Sequence, residues 1–121
     1  CDKKVMTMTE QTNILMNLKQ EMNRGTLVLA VLCQLDEPRY GYALIERCQE
    51  VGLDVDQNTL YPLLRRLEKQ GLCESIWQVE ANRPRHYYKI SSLGIEVRRV
   101  LIQDYQQLEG ALHELIKTQS A

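Results

Sequence analysis

Apolar residues along this chain follow helical spacing up to residue 71, switch to strict alternation, and return to helical spacing after residue 91. Ile14, Leu15, Leu18 and Met22 form one stripe, and Thr9 is placed to cap the helix that carries it. Gly25 weakens that helix by about 1 kcal/mol relative to Ala. The stripe nevertheless resumes with Leu29, Leu32 and Leu35, which predicts one long helix, or two nearly collinear ones, over residues 10–35. Such a helix carries more apolar surface than a small domain can cover, so a partner chain is expected. Residues 1–8 have no pattern and are read as a disordered or added tail. With Cys1 where a Met would stand, Met6 or Met8 is the candidate natural start.

Pro38 disfavours helix just before it, so residues 36–39 are a break. A second helix follows over Tyr40–Val51, its apolar side made by Leu44, Ile45, Cys48 and Val51, and Gly52 ends it. A short connection over residues 53–57 leads to a third helix beginning at Asn58 or Thr59, because Pro62 is harmless only near a helix start. Leu60, Leu63, Leu64 and Leu67 fall at i, i+3, i+4 and i+7 on one face, and Gly71 is a natural terminator. Arg65, Arg66 and Lys69 lie off that face, beside Thr59, Tyr61 and Gln70. Two short helices joined by a turn, the second with a basic outer face, form a helix-turn-helix. The plainer alternative is an ordinary solvated helix face.

After Gly71, Leu72, Glu74, Ile76 and Gln78 alternate with Cys73, Ser75 and Trp77. His86, Tyr88 and Ile90 alternate with Tyr87 and Lys89, and the polar residues 79–84 between the two runs read as a loop. This predicts a two-stranded hairpin with a basic tip, packed on the helices through Ile76, Trp77 and Ile90. By the same alternation Tyr88 points inward and Tyr87 outward, and His86 is expected to be buried and satisfied. Ser91 or Ser92 caps a last helix with Glu96 near its start. There Val97, Leu101, Tyr105, Leu108, Leu112 and Leu115 recur at spacings of 4, 4, 3, 4 and 3, a heptad-like seam. A dimer interface is the economical reading of the seam. Packing onto the chain's own first helix is the alternative, and the two are compatible. The fold class is therefore mainly α with a two-stranded β-hairpin: a winged helix-turn-helix over residues 9–91, then a C-terminal dimerisation helix over 92–121.

Composition adds limits. The chain has 121 residues, the length of one domain, and 44% hydrophobic with 26% charged residues is ordinary for a globular protein. The longest apolar run, residues 27–33, is far short of the roughly 20 needed to span a bilayer. No membrane association and a cytoplasmic location are expected, nucleoid-associated when DNA is bound. Net charge is −1, with 15 basic and 16 acidic residues, which argues mildly against a polyanion partner. Between Asn58 and Ile90, however, six basic residues face three acidic ones, giving +3 and leaving −4 for the remainder. Cys1, Cys33, Cys48 and Cys73 show no CxxC spacing, and the last three look buried and inert, against a redox sensor. Neither metal nor cofactor is implied. Gly-rich loops, GxSxG and HExxH are all absent, against an enzyme.

Four strings, in order, give the chain a resemblance to the PadR family of bacterial transcriptional regulators, in its small subgroup with a single C-terminal helix. They are Gly25–Leu29, Pro38–Tyr42, Thr59–Leu72, and Arg83–Ile90 leading to Leu93–Gly94. The resemblance covers roughly residues 24–116. It implies a homodimeric repressor that binds an inverted repeat in double-stranded DNA and is often released by a small effector. One departure stands at the wing, where Ala81 and Asn82 precede Arg83 in place of the Gly common beside the Arg-Pro.

Read as DNA contacts, Asn58, Thr59, Tyr61 and Pro62 stand nearest bases and phosphates, at the end of the helix that enters the major groove. Arg65 and Arg66 either read guanine or hold phosphate, and Lys69 holds phosphate. Tyr61 has the alternative of closing the core edge. Arg83 and Arg85 reach the minor groove or its phosphates, with Lys89 in support and Tyr87 as a phosphate donor. Dimerisation is assigned to Leu15, Leu18, Leu101, Tyr105, Leu108, Leu112 and Leu115. An effector cleft at the dimer axis is assigned to Met16, Met22, Val97, Leu101 and Tyr105, with Tyr105 stacking on a planar aromatic ligand or simply packing in the interface. The competing function is a winged helix turned protein-interaction module, without specific DNA binding.

Overall fold

The long first helix starts earlier than its apolar stripe implies. In the computed structural model, which describes residues 7–119, α1 is Met8–Leu32 and Thr7 is its cap. Thr7 Oγ1 accepts from the Glu10 N–H at 3.1 Å while Glu10 Oε2 accepts from the Thr7 N–H at 3.2 Å. This capping box needs Glu three residues after the cap, and Thr9 has Thr12 there instead. Of the tail expected at residues 1–8, residues 1–6 lie outside the described ones.

A two-residue strand, β1 (Arg39–Tyr40), precedes α2 (Gly41–Glu50), followed by α3 (Gln57–Lys69), β2 (Cys73–Glu80), β3 (Arg83–Ile90) and α4 (Ser92–Lys117). The sheet is therefore three-stranded and antiparallel, ordered β1-β3-β2, where the sequence pattern indicated a hairpin alone. Helix α3 begins at Gln57 because Asp56 caps it, its carboxylate accepting from the Thr59 N–H at 2.9 Å. Pro62 thus sits inside the helix rather than at its start. The Asn58 carbonyl loses its intrahelical donor there, at an exposed position.

The strands of the hairpin run to its tip, with Val79 opposite Pro84 and Glu80 opposite Arg83, so residues 79–84 are not a loop. Only Ala81 and Asn82 turn, at φ of 48° and 64°. Positive φ at both central residues matches the right-handed twist of a hairpin. Counting from the tip, Val79 and Pro84 form a pair without mutual hydrogen bonds, so the missing proline N–H costs no ladder bond with β2.

Val31, Leu32, Leu35, Leu44, Cys48, Leu60, Leu64 and Leu67 form the centre of the core. Helix α4 is locked onto it at its first turn. Gly94 is buried against the Leu72 carbonyl, leaving no room for a Cβ. Arg98 then ties α4 to the end of α1, donating to the Leu32 carbonyl at 3.2 Å and pairing with Asp36 at 3.0 Å. Beyond this clamp, the first half of α1 and α4 from Gln103 onward are exposed along their length.

Candidate nucleic-acid interface

Burial of Leu60, Leu63, Leu64 and Leu67 fixes how α3 is rolled, and turns Asn58, Thr59, Pro62, Arg65, Arg66 and Lys69 to solvent. Tyr61 is half-buried, its ring lying over Gly41 at the start of α2. A Cβ on Gly41 would stand 2.6 Å from that ring, so Gly is required there by contact rather than by backbone angle. Gly41 belongs to the site, although no periodicity links it to a tyrosine twenty residues on.

Between α3 and β3 lies an open cleft of about 840 Å³, lined by Tyr40, Tyr61, Arg65, Glu68, Arg83, Arg85 and His86 among others. Three guanidinium groups face one carboxylate across it. Arg85 is held over the Tyr40 ring, 4.9 Å from the centroid, a cation–π contact that aims the guanidinium. Arg65, Arg66, Lys69, Arg83, Arg85 and Lys89 form no ion pair with a carboxylate among the described residues. Lys89 stands apart: it is six residues from Arg83 along β3, about 20 Å at about 3.4 Å per residue, and lies opposite Glu74.

Several expected placements are corrected. Tyr87 does not point to solvent as a phosphate donor; it is buried, as is Tyr88. Alternation presumes one wet face, but β1 pairs beside β3 and its Tyr40 ring shields the second face, edge-on to Tyr87 at 5.7 Å between centroids. The Tyr87 hydroxyl donates to Glu80 at 2.6 Å, and this bond to a carboxylate pushes its pKa up. His86 is half-buried and only partly satisfied. Its Nδ1 lies 3.3 Å from the Tyr88 hydroxyl, whereas its buried Nε2 has no partner among the described residues. Trp77 is not packed on the helices but exposed. Cys33, expected to be buried, caps α1 at the surface; Cys48 and Cys73 are buried. Burial pushes the Cys73 thiol up to about 11.

On the two arms, Leu15, Leu18, Tyr105, Leu108, Leu112 and Leu115 are all exposed. Leu101 and Val97 instead pack against the chain's own core, so the intramolecular reading of the seam holds at its first two positions. The five residues assigned to an effector cleft are not gathered within one protomer. Met16 lines a cleft of about 480 Å³ between α1 and the α2–α3 turn, Met22 is exposed, and Tyr105 sits on the other arm. Among the described residues no helix is long and apolar enough to cross a membrane, and no three His, Cys, Asp or Glu cluster as metal ligands.

Known proteins share this fold. The profile of the transcriptional regulator PadR-like family matches residues 28–100. A transcriptional regulator of Mycobacterium tuberculosis is 32% identical over 102 residues, which is 84% of this chain and 92% of that protein. The crystal structure of a PadR family transcriptional regulator from Eggerthella lenta superposes with a TM-score of 0.82 at 40% identity, covering 92% of this chain and 99% of that one. A PadR-like transcriptional regulator from Bacillus cereus gives 0.75 at 26% identity, over 82% and 99% of the two chains. Sequence and fold agree over most of the length, and the chain belongs to the PadR-like family of transcriptional regulators, whose members are not enzymes.

Proposed function

We propose that this regulator is a cytoplasmic repressor that binds an inverted-repeat operator as a homodimer, each protomer laying α3 in the major groove and its wing along the adjoining minor groove. One observation carries the reading: the outer face of α3 and the wing cleft form a continuous surface whose cations, exposed except for the half-buried Arg85, are unpaired among the described residues. Unpaired cations are what a polyanion requires, because each phosphate they neutralise releases condensed counterions. Asn58, Thr59, Tyr61 and Pro62 stand at the end of α3 nearest the groove floor. Arg65 reads guanine and Arg66 and Lys69 hold phosphates, while Arg83 and Arg85 clamp the backbone at the wing. Tyr87 is withdrawn from this set by its burial, and Lys89 by its distance from the tip.

The dimer follows from the arms. Two stripes of exposed leucines on helices that extend past the core gain most by packing on a second copy. In that dimer Met16, Met22 and Tyr105 from both copies surround the axis, where a planar aromatic effector has a place to stack.

Binding to duplex DNA from upstream of the chain's own gene tests the reading. With roughly eight phosphate contacts per dimer, the slope of log affinity against log salt should be about −7. Affinity that does not depend on salt, or no preference for the upstream segment, would favour the protein-interaction module instead.

A further inference from the structure

The chain has a single tryptophan, and 66% of Trp77 is exposed. The hairpin register explains how. Cys73, Ser75, Trp77 and Val79 share one face of the sheet with Ile90, Tyr88, His86 and Pro84, pair by pair. Core residues on this face end at Tyr88, so the next two pairs overhang the core toward the tip. The indole is nonetheless held in place. It stacks on the His86 imidazole with centroids 4.4 Å apart and planes 13° apart, and that imidazole lies 4.4 Å from the Tyr88 ring. Three rings thus run from the buried Tyr88 outward, fixing one face of the indole and leaving the other free. Val79, 76% exposed, and Pro84 continue the apolar surface to the turn.

What can occupy this lip is narrowed by its surroundings. It is three side chains wide, too little for the roughly 800 Å² per partner of a stable protein interface. Arg83 and Arg85, which the register puts on the opposite face of the same hairpin tip, have no carboxylate partners among the described residues, which favours a polyanion around the tip. Pro84 and His86 also line the cleft that Arg65 faces, so the lip is continuous with the DNA surface. Duplex DNA combines the required features, since deoxyribose presents apolar surface between phosphates along the minor groove. We propose that Trp77, with Val79 and Pro84, packs on deoxyribose of the minor-groove wall while Arg83 and Arg85 take the flanking phosphates. The wing then grips DNA partly by a contact that releases no counterions and does not weaken with salt. This inference rests on the DNA-binding reading above.

Because Trp77 is the chain's one tryptophan, its emission reports on the lip alone. The full chain is titrated with upstream duplex, following Trp emission and, in parallel, the anisotropy of labelled DNA. Expected is a change in emission that saturates together with the anisotropy. Trp77→Ala should bind about tenfold more weakly, equivalent to about 1.4 kcal/mol, with the salt slope unchanged. Trp77→Phe should keep most of the affinity, and Arg83→Ala should reduce the salt slope of the dimer by about two, one for each protomer. Anisotropy that rises while emission stays flat and Trp77→Ala binds like wild type overturns the lip and spares the DNA-binding reading. Emission that changes with protein concentration alone, and not with DNA, assigns the lip to self-contact and overturns it equally. No rise in anisotropy at all removes the DNA-binding reading, and the lip with it.

Discussion

Gly41→Ala is the substitution through which the α2–α3 contact can be weighed. The added Cβ would lie 2.6 Å from Tyr61 Cε1 and 2.8 Å from Cζ and the hydroxyl, against about 3.5–4.0 Å for a relaxed contact. The ring must withdraw by about 1 Å, and it belongs to the helix that presents Arg65 one turn later. Overpacking of this kind costs about 1–3 kcal/mol. Replacing glycine also restricts the unfolded chain, which offsets about 0.4–1 kcal/mol of that cost. A net loss of about 0–2.6 kcal/mol is therefore expected, read as a lower urea midpoint at unchanged slope. Protomer concentration has to be held fixed, because a dimer's stability depends on it. The decisive comparison is the same change made in Tyr61→Ala. With the ring gone the clash is gone while the effect on the unfolded chain remains, so Gly41→Ala should there stabilise by about 0.4–1 kcal/mol. Equal destabilisation in both backgrounds would refute the contact.

Arg65→Ala should weaken operator binding by about 1–3 kcal/mol and relax specificity, whereas Arg66→Ala should weaken it uniformly across sequences; unchanged affinity in both by mobility shift would remove α3 from the groove. Leu112→Asp, on an arm away from the core, should give a monomer by sedimentation while the helical circular dichroism of the body persists, and a dimer of unchanged affinity would refute the arm interface. Cys73 gives a pH signature: its folded thiol stays protonated to about 11, whereas the ordinary value is 9.0. Its contribution is thus intact below pH 9 and is lost as pH rises through about 11. The stability difference between wild type and Cys73→Ala should accordingly be flat below pH 9 and narrow above it, and a difference that stays flat to pH 11 would contradict the burial.

Legibility in the sequence followed the length of each pattern. Helices α2, α3 and α4 were readable because their apolar spacing repeats over two or more turns, and the α3 stripe Leu60, Leu63, Leu64 and Leu67 is buried as its spacing requires. Strand β1 has two residues and therefore no period. Alternation without β1 sets Tyr87 outward, whereas the Tyr40 ring carried by that strand shields it. The two-residue turn leaves no signal at the tip, because Ala81 is not a residue chosen for positive φ, yet the register forces it there. Hydrophobicity alone sets Trp77 inside, and it says nothing of where a hairpin outruns the core beneath it. The contact of Gly41 with Tyr61 joins two helices and leaves no trace in either one's pattern.

The division of charge gives the surface ion pairs a role beyond stability. Arg47–Glu50, Arg99–Glu96 and Lys117–Glu114 are exposed pairs three residues apart on α2 and α4. Pairs of this kind contribute about 0–1 kcal/mol each, too little to explain them as fasteners. Their effect on the field is larger in consequence, since each neutralises a cation that lies off the face built by α3 and the wing. On that face the cations remain unpaired among the described residues, so residues 58–90 carry +3 while the rest of the chain carries −4. The net positive segment draws a polyanion toward α3 and the wing, while the net negative charge of the remainder opposes binding elsewhere. Orientation is thereby selected before any base is read, and a chain with net charge −1 can address DNA without adhering to it indiscriminately.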